Sequence, residues 1–481
     1  MKLKGFLRKY YPNIHIRYNH IIDNITDYDK DVNNGSIYVC LKDETYVDSA
    51  INNGAKTIVL DKLLKKNKIK RVKGINYIFV DSPTIFCARV INEVLCSLTK
   101  KPIMIGLTGT SGKTTTLHLL YEYLKNENYD ILAIGTHFIY SYYGLKETKV
   151  ETNNTTISLC YLFKLIKEKN FDFDYVIMEV SSEGISKGRI LGLSFDIVSV
   201  SNILSDHLNY HKTIESYIHA KERLLYQAKE IIILNYDDEI VKSFNKLTIK
   251  NVLSYGINSS TNIKAKYIEY YDDFTKFYIE DSGNNYFIVT SLLGKFNVYN
   301  ILNAWCIIKA LNLDLNLFIK VLNNKIVIPG RMNEIKIGNC KFIVDYAHTV
   351  NEVKEVFDFI LKVKKEEFVI TIIGCGGSRD KSKRSIIGEL VTTNSDYVYF
   401  TEDNSRDEDV LSIINDITSD LSCNNYEVVI NRIDAINKAY QNYKDKNTII
   451  LVLGKGSENY IIKNNIKYPY SDIDEINKLY E

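Results

Sequence analysis

Hydrophobic and polar residues follow two periods along this chain, one typical of strands and one of helices. Short runs rich in branched and aliphatic residues predict strands. These runs lie at 36–41, 57–60, 103–107, 175–180, 197–203, 231–234, 342–344, 369–373, 397–401, 428–430 and 449–453. Helical spacing of apolar residues appears between them, at 86–98, 117–124 and 300–311. This alternation predicts α/β folds with a mostly parallel sheet.

The amino-acid composition limits which classes of binding partner are expected. The net charge is +2 and 25% of residues are charged, so no large basic field favours nucleic acid or an anionic membrane surface. Small-molecule partners are therefore expected. No apolar stretch approaches the ~20 residues that span a bilayer, and the first residues lack secretory-signal features, which predicts a cytoplasmic location. The eight cysteines form no C-x-x-C pair, so neither a zinc site nor a disulfide framework is predicted.

Residues 106–116 read GLTGTSGKTTT and lie between a predicted strand and a predicted helix. In such a turn the backbone N–H groups converge on phosphate, Lys113 can reach terminal phosphates, and the Thr114 hydroxyl can bind magnesium. The strict phosphate-loop pattern requires glycine where this chain has Leu107, so the match is to a variant. The segment predicts a nucleoside triphosphate site.

The chain length and the positions of boundary signals such as Pro-Gly predict three domains. A chain of 481 residues exceeds what one hydrophobic core usually supports. Boundary signals lie near 99–102 and at Pro329-Gly330, in a chain with five prolines. We predict a small α/β N-terminal domain (1–100), a central P-loop domain with a parallel sheet (101–328) and a Rossmann-like C-terminal α/β domain (329–481).

Two further features bear on metal binding. Glu179 ends a predicted buried strand, where a carboxylate can bind magnesium or its water beside the phosphate loop. An ion pair with a distant Arg or Lys is the alternative reading of this residue. His207 and His211 have the i, i+4 spacing of a zinc pair, but no third ligand follows at useful spacing, so zinc is not predicted.

Nine ordered motifs between residue 103 and the last residue resemble those of the Mur ligases. They read TGTSGKTTT, EVSSEG, NILSDHLNYHKTIESYIHAKERLLY, LGKFNVYNILNA, IPGRMNEI, VDYAHTVNEVKEV, GCGGSRDKSKR, TEDNSRDED and GKGSENY. The chain is most similar to members that add the third residue of the peptidoglycan stem peptide. This resemblance implies ATP-dependent amide formation through an acyl phosphate, with Mg²⁺ as cofactor.

The resemblance assigns residues to the nucleotide and the metal. Those implied to contact ATP are Gly109, Thr110, Ser111, Gly112, Lys113, Thr114, Thr115, Asn297, Asn300, Arg331 and Asp345. Those implied to hold metal are Thr114, Glu179, His207 and Lys221, and those implied to be catalytic are Lys113, Glu179, His207 and Lys221. Lys221 matches a lysine that the family carries as a carbamate, N6-carboxylysine, which would give magnesium an anionic oxygen ligand.

The resemblance also assigns the two remaining substrates. Residues implied to hold UDP-N-acetylmuramoyl-L-alanyl-D-glutamate are Thr155, Thr156, Ser181 and Arg189. Residues implied to hold the added amino acid are Arg379, Asp403, Asn404, Arg406, Gly454 and Glu458. Relatives that use meso-diaminopimelate carry a D-N-P-R motif, and this chain has Arg406 at its arginine position. A guanidinium suits bidentate carboxylate binding, so diaminopimelate is favoured over lysine. A monomer is expected.

Departures from the family pattern leave alternatives open. Ser111, Glu183, Ser378 and Ser457 stand where relatives usually carry Asn, His, Asp and His. The N-terminal hundred residues lack the family's uridine-binding D-S-R and G-x-x-x-D-G sequences. The alternatives are a Mur-type ligase for L-lysine, another amino acid or another carboxylate acceptor, a folylpolyglutamate synthetase, a phosphotransferase and a nucleotide-binding scaffold.

Overall fold

The computed structural model describes residues 1–41, 44–64, 71–98, 100–152, 154–169, 172–204 and 208–480. The chain forms two compact units. The first unit comprises Met1–Thr108, Glu127–Val198 and Ala220–Ile231, and the second comprises Gly109–Asn126, Ser199–His219 and Ile232–Glu481.

Helices and strands alternate through residues 1–235, as the hydrophobic pattern predicts. The helices are α1 Leu3–Tyr10, α2 Val47–Asn52, α3 Pro83–Cys96, α4 Lys113–Asn126, α5 Leu159–Lys167, α6 Ser182–Ser186, α7 Leu208–His211 and α8 Ile214–Leu225. The strands are β1 Ile25–Thr26, β2 Ile37–Val39, β3 Thr57–Asp61, β4 Asn76–Val80, β5 Ile103–Thr108, β6 Ile131–Ile134, β7 Phe138–Tyr143, β8 Lys146–Glu151, β9 Tyr175–Glu179, β10 Phe195–Val200 and β11 Ala228–Asn235.

The remaining residues continue the alternation after a run of strands. The helices are α9 Glu239–Ser243, α10 Lys295–Ala310, α11 Leu315–Asn323, α12 Val350–Val363, α13 Lys383–Asn394, α14 Val410–Thr418, α15 Arg432–Tyr443 and α16 Asp472–Asn477. The strands are β12 Asn251–Gly256, β13 Ile263–Tyr270, β14 Thr275–Asp281, β15 Asn284–Thr290, β16 Asn333–Ile337, β17 Cys340–Asp345, β18 Phe368–Ile373, β19 Tyr397–Phe400, β20 Tyr426–Val428, β21 Thr448–Leu453, β22 Tyr460–Lys463 and β23 Ile466–Pro469.

The first unit contains a small sheet in the order β1-β2-β3-β4, with all pairs parallel. Helix α3 begins where the Ser82 hydroxyl accepts from the Ile85 N–H, with proline at its first position. It contacts α5, and the sulfur atoms of Cys87 and Cys160 lie 2.8 Å apart in this contact. Helix α5 therefore anchors the N-terminal sheet.

The larger sheet of the first unit runs β11-β10-β5-β9-β6-β7-β8. Its centre is parallel, because β9 pairs in the parallel sense with both β5 and β6. The predicted mostly parallel sheet is confirmed at this centre, whereas β6, β7 and β8 pair antiparallel. Leu107 lies opposite Glu179, so β5 and β9 end at the same edge.

The second unit contains two sheets. The first joins β12 to β13 in the parallel sense and continues into an antiparallel meander, β13-β14-β15. The other has the order β16-β17-β21-β18-β19-β20 and is parallel except for β16. Helices α12, α13 and α14 cover one face, and α15 and α16 cover the other. This two-sided cover is the predicted Rossmann-like arrangement, in which ligands bind at the carboxyl ends of the strands.

Within the part of the chain that the structure describes, every helix is too short or too polar to cross a bilayer.

Candidate functional site

The turn after β5 has the backbone geometry of a phosphate-binding loop. Gly109 and Gly112 have φ angles of 147° and 87°, which side chains other than hydrogen rarely permit. A Cβ atom at Gly109 would lie 1.9 Å from the Ser201 hydroxyl, and one at Gly112 would lie 2.3 Å from the Asn300 side-chain oxygen. Both positions therefore require glycine, because any side chain would overlap the Ser201 or Asn300 side chain. Helix α4 begins at Lys113, so its N-terminus faces this turn.

Hydrogen bonds fix the loop from several sides. Lys113 Nζ donates to the carbonyl oxygens of Gly109 at 2.7 Å and Thr110 at 2.8 Å. The Ser111 N–H donates to Asn202 Oδ1 at 2.9 Å, and the Ser201 hydroxyl donates to the Ser111 carbonyl at 2.6 Å. A loop held this way keeps a fixed concavity, which fits the phosphates of a nucleotide.

A cleft of about 750 Å³, including space open to solvent, adjoins the loop. The predicted ATP residues among those that line it are Ser111, Gly112, Thr114, Thr115, Asn300, Arg331 and Asp345. Asn297 lies next to the cleft and accepts a hydrogen bond from Asn300 Nδ2 at 3.0 Å.

Several lining residues were missed by the sequence reasoning. They are Ser201, Asn202, Leu204, Phe296, Tyr299, Glu352, Glu355 and Val356. Phe296 and Tyr299 lie within the LGKFNVYNILNA motif, beside Asn297 and Asn300. The motif therefore contained a signal for both aromatic residues. Glu352 follows Thr349 by three residues, which is the spacing of a capping box and would have placed it at a helix N-terminus.

Asp345 ends β17 and is 5% exposed. Its carboxylate accepts from the N–H groups of Met332 and Ala347, each at 2.7 Å. Burial raises the pKa of Asp345, and the nearby Arg331 guanidinium and these hydrogen bonds counteract only part of that effect. Arg331 in turn lies 4.7 Å from the centre of the Tyr346 ring. This carboxylate holds the segment after Gly330 against the C-terminal sheet.

Gly330 has a φ of 64°, and a Cβ atom there would lie 2.0 Å from the Ser457 backbone nitrogen. The Pro329-Gly330 turn thus packs directly on the loop that follows β21. Any larger residue at position 330 would separate these two segments.

In the first unit, Glu179 is fully buried at the end of β9. Its carboxylate accepts from the Thr136 N–H at 3.1 Å and from the Thr136 hydroxyl at 2.9 Å. The Thr136 hydroxyl also lies 3.2 Å from Thr155 Oγ1. These contacts are hydrogen bonds, so the alternative reading of Glu179 as one half of a salt bridge finds no support among the described contacts.

The other residues predicted for the muramoyl peptide join the same cluster. Thr156 Oγ1 donates to the Glu179 carbonyl at 3.1 Å and accepts from the Ser181 N–H at 2.9 Å. Arg189 Nη1 donates to the Thr156 carbonyl at 3.0 Å. The structure therefore brings Thr155, Thr156, Ser181 and Arg189 together beside Glu179.

The other residues predicted to hold metal are Thr114, His207 and Lys221. Lys221 lies in α8 with 1% of its surface exposed, and Thr114 lies in the first turn of α4. His207 lies outside the described residues. The buried carboxylate of Glu179 is an oxygen donor, which suits magnesium. The donor chemistry present therefore fits the implied cation.

A second pocket lies at the carboxyl ends of β17, β18, β19 and β21. It is lined by all six residues predicted for the added amino acid, Arg379, Asp403, Asn404, Arg406, Gly454 and Glu458. It is also lined by Tyr346, His348, Gly374, Cys375, Gly376, Asp380 and Lys383, which were not predicted. Each stretch follows a different parallel strand, and such strands end at a common edge.

The two arginines give this pocket its positive charge. Arg406 has a φ of 57°, and its Nη1 donates to the carbonyl oxygens of Gly377 at 2.8 Å and Asn404 at 3.1 Å. Burial and the neighbouring Arg379 both lower the pKa of Arg406. Two guanidinium groups held near each other are stabilised by a bound carboxylate.

A buried lysine organises the acidic residues of this pocket. Lys455 is fully buried, and its Nζ lies 2.7 Å from Glu458 Oε2 and 3.7 Å from Asp403 Oδ1. Asn404 Nδ2 donates to the same Glu458 oxygen at 2.7 Å. Burial alone would raise the pKa of Asp403, but Lys455 and Arg432 lower it overall, so the Asp403 carboxylate stays negatively charged.

Three of the four departures from the family pattern, Ser111, Glu183 and Ser378, have definite local partners. The Ser111 hydroxyl donates to Glu352 Oε1 at 2.8 Å. Glu183 pairs with Lys187 at 2.5 Å, and the Ser378 N–H donates to Glu408 Oε1 at 2.6 Å. These contacts show how the substituted positions are accommodated.

Comparisons with known proteins cover nearly the whole chain. Residues 107–308 match the Mur ligase middle domain, and residues 330–456 match the Mur ligase glutamate ligase domain. The chain is 34% identical to UDP-N-acetylmuramoyl-L-alanyl-D-glutamate--2,6-diaminopimelate ligase of Oceanobacillus iheyensis, over 92% of this chain and 91% of that protein.

Solved structures show the same fold. A 2,6-diaminopimelate ligase of the same name matches with a TM-score of 0.66 at 23% identity, covering 99% of this chain and 98% of the other. The MurF ligase from Thermotoga maritima in complex with ADP matches with a TM-score of 0.67 at 18% identity, covering 95% of this chain and 96% of the other.

Proposed function

Because the chain belongs to the Mur ligase family of ATP-dependent amide ligases, we propose that it joins meso-diaminopimelate to UDP-N-acetylmuramoyl-L-alanyl-D-glutamate. The observation that carries the choice of amino acid is a single pocket lined by Arg379 and Arg406 together with Asp403, Asn404 and Glu458. Diaminopimelate has two carboxylates and two ammonium groups. A pocket lined by both guanidinium and carboxylate groups complements such a molecule.

In the first step, the substrate carboxylate attacks the γ-phosphorus of ATP and ADP leaves, which gives an acyl phosphate. The loop N–H groups between Gly109 and Thr114, together with Lys113, stabilise charge on the transferring phosphoryl group. Asn297, Asn300, Arg331 and Asp345 bind the remainder of the nucleotide in the adjoining cleft.

In the second step, the amino group of diaminopimelate attacks the acyl carbon. The nitrogen loses a proton, the tetrahedral intermediate collapses, and inorganic phosphate leaves. The C-terminal pocket orients the amine through contacts with the other end of the amino acid, and Arg406 binds the distal carboxylate. Thr155, Thr156, Ser181 and Arg189 hold the muramoyl peptide.

Thr114, Glu179, His207 and Lys221 are the residues proposed to hold magnesium. The cation, when bound, supplies positive charge against the phosphate oxygens. Lys221 serves this role as N6-carboxylysine, because an ammonium group would repel the cation, whereas a carbamate is an oxygen ligand.

The choice of amino acid is tested by phosphate release with the UDP-muramoyl dipeptide and, separately, meso-diaminopimelate, L-lysine and L-ornithine. We expect release with meso-diaminopimelate above the other two. Arg406→Ala should lower kcat/KM for diaminopimelate about 30- to 100-fold, the cost of losing charged hydrogen bonds. Lys438→Ala, which removes an exposed cation on α15, is the matched control. Activity with lysine but not diaminopimelate would contradict the assignment.

The Lys221 role is tested by substitution and rescue. Lys221→Ala should abolish ligation, and added short carboxylates should restore part of it by replacing the missing oxygen ligand. Lys242→Ala, an exposed lysine that pairs with Glu239, is expected to keep full activity without any response to carboxylates. Full activity of Lys221→Ala would refute the carbamate.

A further inference from the structure

We propose that Glu352 is a positioning residue that couples the nucleotide loop to the amino-acid pocket, so that a bound nucleotide strengthens binding of the amino acid. The inference rests on the proposed function, because it takes the two pockets to be those of ATP and of the diamino acid. It concerns one carboxylate, on the first turn of α12, that contacts residues of both pockets.

On the nucleotide side, Glu352 contacts the phosphate loop itself. The Ser111 hydroxyl donates to Glu352 Oε1 at 2.8 Å, and both residues line the nucleotide cleft. The backbone of Ser111 is independently fixed, since its N–H donates to Asn202 and its carbonyl accepts from Ser201. Displacement of this part of the loop therefore displaces the carboxylate.

On the amino-acid side, Glu352 Oε2 accepts from the N–H groups of His348 and Thr349, each at 3.3 Å. The same oxygen lies 3.4 Å from His348 Nδ1. His348 lines the amino-acid pocket, and its carbonyl accepts from Lys383 Nζ at 2.8 Å, which lines that pocket too. The carboxylate thus connects Ser111 to His348 through one side chain.

Charge also favours a positioning role over direct contact with phosphate. An isolated carboxylate in this cleft would repel a nucleotide. Here the neighbouring His348 and Arg331 lower the pKa of Glu352, and its hydrogen bonds are used by the loop and by the start of α12. If Glu352 acted only as a negative charge in the cleft, its removal would tighten nucleotide binding instead of uncoupling the pockets.

The test is a binding cycle on the full chain, with the UDP-muramoyl dipeptide saturating. The Kd of meso-diaminopimelate is measured by calorimetry with and without a non-hydrolysable ATP analogue and magnesium. In the unaltered protein the analogue should lower that Kd about tenfold, a usual size for coupling between sites. Glu352→Ala and Ser111→Ala should each reduce the effect to less than about twofold, and the double variant should reduce it no further.

Thr349→Ala is the matched control, because it removes the other half of the α12 capping box while leaving the bond between Ser111 and Glu352. It should lower Tm as Glu352→Ala does and retain the tenfold coupling. Equal loss of coupling in Thr349→Ala would show that Glu352 merely stabilises the helix and would overturn the proposal. Tighter binding of the analogue by Glu352→Ala, with coupling retained, would overturn it as well.

Failure of the substrate assignment gives a different result. If phosphate release occurs with L-lysine and not with meso-diaminopimelate, the assignment fails and the same cycle is run with L-lysine. An unaltered protein that shows no coupling with the amino acid it ligates would overturn the role of Glu352 whatever that amino acid is.

Discussion

At the residue scale, Glu352 shows how neighbours keep a mostly buried carboxylate charged. Burial alone would raise its pKa, but His348, Arg331 and the Ser111 hydroxyl lower it to about 2, from an ordinary value of 4.5. A carboxyl whose pKa is lower in the folded chain stabilises the fold above its unfolded pKa. That stability is lost as the pH falls from about 4.5 through 2.

In the Glu352→Gln variant, the free energy of unfolding should therefore depend less on pH in the acid range. The shift corresponds to about 3 kcal/mol, at roughly 1.4 kcal/mol per pKa unit. Between pH 5 and pH 2, the unaltered protein should lose about 3 kcal/mol more unfolding free energy than the variant, as measured by urea titrations at each pH. Parallel profiles for the two proteins would show that the charge of Glu352 is not stabilised by the fold.

Individual residues were predicted most completely in the phosphate loop. Lys113, Thr114 and the loop glycines could be identified because a phosphate loop is a contiguous segment with fixed spacing. Glu352 could not be identified, since its partner Ser111 lies 241 positions away and only packing brings the two together.

At the element scale, a buried ion pair joins α15 to α16. Arg432, at the first position of α15, donates through Nε and Nη2 to the two Asp472 carboxylate oxygens at 2.8 and 2.9 Å. Both side chains are fully buried. Arg432 Nη2 also donates to the Leu453 carbonyl at 2.8 Å, so the pair holds the end of β21 beside the amino-acid pocket.

Arg432→Met should cost about 4 kcal/mol of unfolding free energy, because it leaves the Asp472 charge buried and unpaired. Arg432→Met with Asp472→Leu should recover about half of that loss, since no uncompensated charge remains. Denaturant unfolding measures both. Lys354→Ala breaks the exposed pair with Asp358 and should change stability by less than about 1 kcal/mol. A single variant no less stable than Lys354→Ala would contradict the argument.

The strands whose positions the sequence predicted accurately share one physical property, which is burial. Parallel strands that are buried along most of their length, such as β5, β18 and β21, appear as largely apolar runs, so their positions were found within one or two residues. The antiparallel strands were missed. β8 is exposed along its whole length, and β14 and β15 alternate in burial. A Ser282-Gly283 turn, with φ angles of 52° and 83°, was the available hairpin signal.

Strand limits were less accurate where loops retain apolar residues. β10 ends at Val200, although the predicted run extended to 203, and β20 ends at Val428, where the predicted strand began. The run at 428–430 follows the strand instead of forming it. Hydrophobicity alone does not distinguish a strand from the apolar segment that leaves it.

At the scale of the whole molecule, the topology of the C-terminal sheet assembles the amino-acid pocket. Arg379 follows β18, Arg406 follows β19 and Glu458 follows β21, and all three line one pocket. The predicted α/β fold with a parallel sheet and a Rossmann-like C-terminal region is confirmed. The boundaries at 100 and 328 stay predictions, since the two compact units divide the chain elsewhere.

The sequence by itself determined the fold class, the family and the phosphate loop, because these depend on periodicity and on short contiguous motifs. It also selected the six residues predicted for the added amino acid, which line one pocket in the structure. Only the tertiary structure decided which side chains complete each pocket and that Glu352 contacts residues of both. Hydrogen bonds between distant segments depend on distances of a few ångströms, and strand order and helix packing, which local patterns do not encode, set those distances.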